Sequence, residues 1–81
     1  MSYFIHPYKG YLNTKYSLYN TNDATSEVII KRLSDQCIID TLVSEPNKMV
    51  QISIPESGKY DIELIETQES IAHIEVIDGY K

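Results

Sequence analysis

Tryptophan is absent from this chain, and cysteine, arginine and phenylalanine occur once each. A single cysteine excludes an internal disulfide framework and a multi-cysteine zinc site. With one arginine and 12 acidic residues against 7 basic, the net charge is −5. That balance argues against nucleic-acid binding through a basic patch. No apolar run approaches the ~20 residues of a membrane helix, so no membrane partner is expected. The opening residues Met1 to Pro7 lack the charged and long apolar regions of a signal peptide. Helical periodicity is missing as well: no stretch keeps the 3, 4, 7 spacing over two turns. At 81 residues, the chain is too short for a dinucleotide-binding doubly wound sheet or a barrel enzyme. It fits one small domain, 1–81, which buries only about 60–65% of the surface its unfolded chain exposes.

What the chain does hold is short alternating runs rich in Ile, Val, Tyr and Thr, broken by turn residues every eight to twelve positions. These are strand formers in the spacing of an all-β sandwich or barrel. Seven strand segments are predicted. They are Tyr3–His6, with a short continuation at Tyr11-Leu12, then Lys15–Tyr19, Glu27–Leu33, Cys37–Val43, Met49–Ile54, Lys59–Glu66 and Ile71–Ile77. Pro7 cannot donate to a ladder, so residues 1–12 read as an edge strand or arm that changes partner. Asn20-Thr21-Asn22-Asp23 and Ser44 to Lys48 read as turns. Residues 78–81 read as a tail. The alternation selects Leu18, Val28, Ile30, Ile39, Val50, Ile52, Tyr60, Ile62, Leu64, Ile74 and Val76 as the core, with Tyr16 as a further candidate.

Charge and aromatic content are divided unevenly. Residues 1–22 hold Lys9 and Lys15, no acid, five of the seven tyrosines and the single Phe. Residues 23–81 hold all twelve acids against five basic residues, a net of −7. Tyrosine gives a large amphipathic contact area at low entropic cost and is enriched at interfaces. Tyr3, Phe4, Tyr8, Lys9, Tyr11 and Lys15 are therefore the candidate partner-binding residues.

Catalytic and metal chemistry finds little support in the sequence. The two histidines, His6 and His73, would have to converge with carboxylates. His73 alternates onto an outward face with Ile71 and Glu75, with Asp61 and Glu63 on the strand beside it. That group reads as a solvated acidic sheet face. Cys37 has no histidine near it in sequence and reads as a buried structural cysteine. Ser57-Gly58 lacks the surrounding pattern of a nucleophile elbow. Asn20 to Asp23 offers one carboxylate and no calcium-loop spacing. No nucleophile, base and oxyanion set assembles, so the expectation is a non-enzymatic protein without a cofactor.

Ile54-Pro55-Glu56-Ser57-Gly58-Lys59-Tyr60-Asp61-Ile62 resembles the corner between the fifth and sixth strands of immunoglobulin-like sandwiches. There a glycine lets the chain bend, and a tyrosine two residues later turns inward and bonds the backbone upstream. Pro7 to Asn20 resembles the opening of small bacterial immunoglobulin-like domains, and Ile74 to Asp78 their last strand. The antibody features are missing. Ile62 stands where an antibody domain has cysteine, Tyr16 or Leu18 faces it, and Ile29 or Ile30 stands in place of tryptophan. Apolar packing replaces the cross-sheet disulfide, which suits a reducing compartment. The resemblance implies an immunoglobulin-like antiparallel β-sandwich of about seven strands. Compact domains of this kind without signal peptides occur as decoration, fibre and tail proteins of bacterial viruses. Starting at Met1 and ending soon after its last strand, the chain reads as a free-standing member of that class. The implied role is an auxiliary capsid or other virion protein, made in the host cytoplasm and not secreted. Its partner would be a capsid or other virion protein, or a second copy. A glycan-binding module and a small acidic inhibitor of a host protein are the alternatives.

Overall fold

The computed structural model of the chain describes residues 3–79. Of the predicted arm and tail, Met1, Ser2, Tyr80 and Lys81 lie outside the described residues. Eight strands form among the described residues: β1 Tyr3–His6, β2 Lys9–Tyr11, β3 Lys15–Asn20, β4 Ser26–Arg32, β5 Cys37–Ser44, β6 Met49–Ser53, β7 Gly58–Leu64 and β8 Ser70–Ile77. Predicted strand ends agree within two residues. The count differs from seven because the predicted continuation at Tyr11-Leu12 is a separate strand, β2. The chain leaves β1 at Pro7, which has no N–H to extend the ladder, and resumes pairing in another sheet.

Two sheets result, in the orders β1-β3-β6 and β2-β8-β7-β4-β5. Among the described residues all strand-to-strand pairings are antiparallel except β2 with β8, which run parallel with Lys9 opposite Glu75 and Tyr11 opposite Ile77. This corrects the expectation of a wholly antiparallel sandwich. The peptide N–H of Glu75 donates to Tyr8 O at 2.9 Å, and that of Leu12 to Ile77 O at 3.1 Å, which hold β2 at both ends.

Both sheets turn one face to a shared core, so the fold is a sandwich-like all-β arrangement. Tyr16, Leu18 and Ile52 come from the three-stranded sheet. Val28, Ile30, Tyr60, Ile62, Ile74 and Val76 come from the five-stranded one, and Ile54 joins from the corner. The period of two along each strand selects these residues. Tyr16 is fully buried. Three predicted core residues, Ile39, Val50 and Leu64, are only half-buried. Ile39 lies on edge strand β5 and Val50 on edge strand β6, where no further strand covers them. Leu64 ends β7.

Cys37 is exposed, which corrects its reading as a buried cysteine. It opens β5, where only Arg32 of β4 pairs with it. Ile71, expected outward, packs against the core, because the register shifts where β7 meets the start of β8.

Two polar devices close the loops. Asn20 is fully buried. Its amide donates to Ala24 O at 3.0 Å and Ser44 O at 3.1 Å, and its Oδ1 accepts from the Asn22 N–H at 2.8 Å. The sequence Asn20 to Asp23 is thus a braced turn. At the other corner, the buried Tyr60 hydroxyl donates to Glu56 O at 2.8 Å. Gly58 between them takes a φ of 143°, a conformation that side-chain-bearing residues rarely adopt.

Candidate docking surface

The six candidate partner-binding residues do not form one patch. Alternation along β1 turns Tyr3 inward, where it packs against the core. Its hydroxyl shares a hydrogen bond with Ser26 Oγ at 2.7 Å. The next residue, Phe4, points the other way and is 61% exposed on the outer face of the three-stranded sheet. Lys15 lies on that same outer face, its Nζ donating to Ser53 Oγ at 3.2 Å. Tyr8, Lys9 and Tyr11 belong to the edge of the other sheet. Tyr8 is 68% and Tyr11 61% exposed, and Lys9 is exposed opposite Glu75. Deleting the arm would therefore remove core side chains along with surface ones.

Tyr8 borders an open hollow of about 230 Å³ that Leu33, Lys59, Tyr60, His73, Ile74 and Glu75 also line. Sequence reasoning missed Leu33 here. It follows β4 and is brought to β7 by its N–H donating to Lys59 O at 3.0 Å. The turn that carries it is braced by Arg32. The guanidinium makes two hydrogen bonds to the Asp35 carboxylate, at 3.1 and 3.0 Å, and a third to Glu56 at 2.8 Å. Bonding to Asp35 holds Arg32 protonated above its ordinary range. The same contact, helped by the Cys37 N–H, holds Asp35 below the usual carboxylate range.

The expected solvated face of Asp61, Glu63 and His73 is more ordered than its composition suggests. Asp61 and Glu63 are each only 7% exposed, although they alternate to the outer side. Buried carboxylates need partners, and both have them. Asp61 Oδ1 accepts from Ser70 Oγ at 2.7 Å and lies 2.8 Å from His73 Nδ1. Glu63 lies 2.9 Å from Lys31 Nζ. The histidine side chain itself is 75% exposed. Its contact with Asp61 orients the ring. His6 lies on the other sheet, so the two histidines are not brought together. Among the described residues, no three His, Cys, Asp or Glu side chains converge as a metal site.

The sheets also differ in charge. Strands β1, β3 and β6 contain no acidic residue, whereas the five-stranded sheet carries Glu27, Asp40, Asp61, Glu63 and Glu75. Comparison with protein-family models, curated proteins and solved structures found no match.

Proposed function

We propose that this chain is a non-enzymatic interaction module with immunoglobulin-like topology that docks on a protein partner through the β2 edge. The observation that carries the reading is the placement of Tyr8 and Tyr11. Two largely exposed aromatic rings mark a three-residue edge strand, Tyr8 just before it and Tyr11 as its last residue, and Tyr8 borders a hollow with room for one partner side chain. An exposed edge offers main-chain hydrogen bonds to a partner strand, and the hollow offers side-chain selectivity. Lys9 adds a positive charge at the same edge.

The topology reading draws support from two features. An opening segment split between the sheets, pairing first with β3 and then in parallel with β8, suits an immunoglobulin-like order. So does the bond from the Tyr60 hydroxyl to the backbone at Glu56. The resemblance to small domains of bacterial viruses makes a capsid or other virion protein the proposed partner, in a particle assembled in the host cytoplasm.

The test compares a carboxy-terminally tagged wild-type chain with a Tyr8→Ala/Tyr11→Ala variant, each used to capture companions from lysate of its natural source. The expected result is recovery of capsid or tail proteins at near-integer stoichiometry by the wild type and their loss from the variant. Equal recovery by both would refute the docking edge. Recovery of one soluble enzyme, or of sugar-bearing material alone, would replace the virion reading with the inhibitor or the glycan-binding one.

A further inference from the structure

We propose that Asp40 closes the free edge of β5 to strand addition, and that without its carboxylate a second copy of this chain pairs there. The inference is independent of the β2 docking edge and of the partner proposed for it.

β5 is the far edge of the five-stranded sheet, with β4 as its one neighbour in it. Among the described residues it is the longest edge strand, at eight residues. Cys37 to Ser44 contains no Pro or Gly, and Ile38, Ile39, Leu42 and Val43 make half of it aliphatic. Ile38 and Val43 are each about half exposed. Asp40 is the one charged residue in the strand. A long edge of this composition, once uncharged, is a template for pairing with another chain.

The pairing of β4 tells which β5 amides are open. The Ile65 N–H donates to Glu27 O, and the Leu33 N–H to Lys59 O. Alternate β4 residues from Glu27 to Leu33 therefore turn their backbone groups toward β7. Val28 and Ile30 turn theirs toward β5, where they lie opposite Leu42 and Asp40. Thr41, between those two, points its N–H out of the sheet edge. That N–H donates to Asp40 Oδ1 at 2.8 Å. Register makes the placement of Asp40 unusual. Its partner Ile30 is fully buried, so position 40 belongs to the core side of the sheet. A carboxylate held there would lose water without gaining a partner. The register shift between Ile30 and Lys31 relieves this. The extra residue, Ile39, packs against the core, and Asp40 stays exposed with its carboxylate at the edge. A bulge and a charge on the inner side of an edge strand both keep edges from joining.

Strand addition needs the group that Asp40 occupies. In a two-fold antiparallel pair centred on Thr41, the two Thr41 residues exchange N–H···O=C bonds. Each Thr41 N–H would first have to leave its carboxylate, and the incoming carbonyl oxygen would approach a negative charge. The same register sets Asp40 of each copy against Leu42 of the other. Two carboxylates would then be desolvated with no cation on either strand to pair them. Removing the carboxylate frees the Thr41 N–H and leaves β5 without charge. A second copy is the occupant that fits, because the open backbone groups of β5 are complementary to those of its own two-fold mate.

Sedimentation velocity over a concentration series to ~1 mM compares the wild type with Asp40→Val and Glu66→Val, each with its fold checked by far-ultraviolet circular dichroism. Glu66 is exposed between β7 and β8, so its variant makes the same change of charge and side chain outside β5. Asp40→Val is expected to self-associate more tightly than the wild type by about tenfold or more, and Glu66→Val to behave like the wild type. Asp40→Thr takes its place if Asp40→Val does not fold or stay in solution. Amide hydrogen exchange at Thr41, followed by NMR, locates the contact and should slow as the concentration of the Asp40 variant rises. A folded Asp40 variant that associates no more than the wild type would overturn the proposal. So would an equal gain in Glu66→Val, or Thr41 exchange that does not slow while the Asp40 variant associates.

Discussion

Replacing Tyr60 by Phe isolates one hydrogen bond. The Tyr60 ring is 1% exposed within the core, and Phe keeps all of that packing. What disappears is the O–H that donates to Glu56 O at 2.8 Å. This bond ties the bend before Gly58 to β7. A neutral intramolecular hydrogen bond contributes about 0.5–1.5 kcal/mol net. Glu56 is exposed, so water reaches its freed carbonyl in part, and the expected loss is about 1 kcal/mol. For a chain of this length that corresponds to a Tm lower by roughly 4–8 °C. Tyr16→Phe is the matched control. Its ring is equally buried, but its hydroxyl makes no hydrogen bond of good geometry among the described residues, only a looser approach to the Thr14 side chain. Deleting it should change stability by less than about 0.5 kcal/mol, or raise it. Urea unfolding followed by circular dichroism and tyrosine fluorescence measures both variants, and the m-value should stay at its wild-type value. A Tyr60→Phe protein as stable as the wild type would refute the role given to the corner bond. A loss in Tyr16→Phe equal to that in Tyr60→Phe would refute the reasoning from hydroxyl pairing.

Gly58→Ala should destabilise by about 1–3 kcal/mol through backbone strain at positive φ. An added Cβ would meet the Tyr60 ring at an ordinary 3.7 Å, so a loss far above that range would mean the site is tighter than its geometry. Thermal melts against pH should show a fall in stability on the alkaline side. Burial raises the Tyr16 and Tyr60 pKa values above 10.0 in the folded chain. The unfolded chain then loses protons that the folded chain keeps, so their contribution is intact below about pH 10 and is lost as pH rises beyond it. A flat profile through pH 11 would contradict this. On the acid side, Asp35 is held below the ordinary carboxylate range, chiefly by Arg32. Its contribution is present above the unfolded carboxyl range and is lost as pH falls through the folded pKa. An Asp35→Asn protein should therefore show a shallower acid dependence than the wild type, and identical acid limbs would dismiss the Arg32–Asp35 bond as a source of it.

The sequence by itself determined that the chain is built of strands. Runs such as Val50, Ile52 and Ile54 alternating with Gln51 and Ser53 bury one face only as a strand, because side chains repeat every two residues. The same alternation named most of the core, and the composition of residues 1–22 marked an aromatic, acid-free region. Only the tertiary structure decided how those pieces meet. Tyr3 and Phe4 are alike in composition, yet one packs inward and the other outward, because pairing with Asn20 and Tyr19 fixes the register of β1. Phe4, Tyr19 and Met49 are far apart in the chain, and cross-strand pairing alone puts them in one row. Asp61 looked solvent-facing by parity, yet Ser70 and His73 cover its carboxylate. Cys37 looked buried by residue type, yet it begins an edge strand that has one neighbour. Local sequence carries the period of a strand. It does not carry the identity of the strand alongside, and that neighbour decides which outward side chain is covered and which is left free to bind.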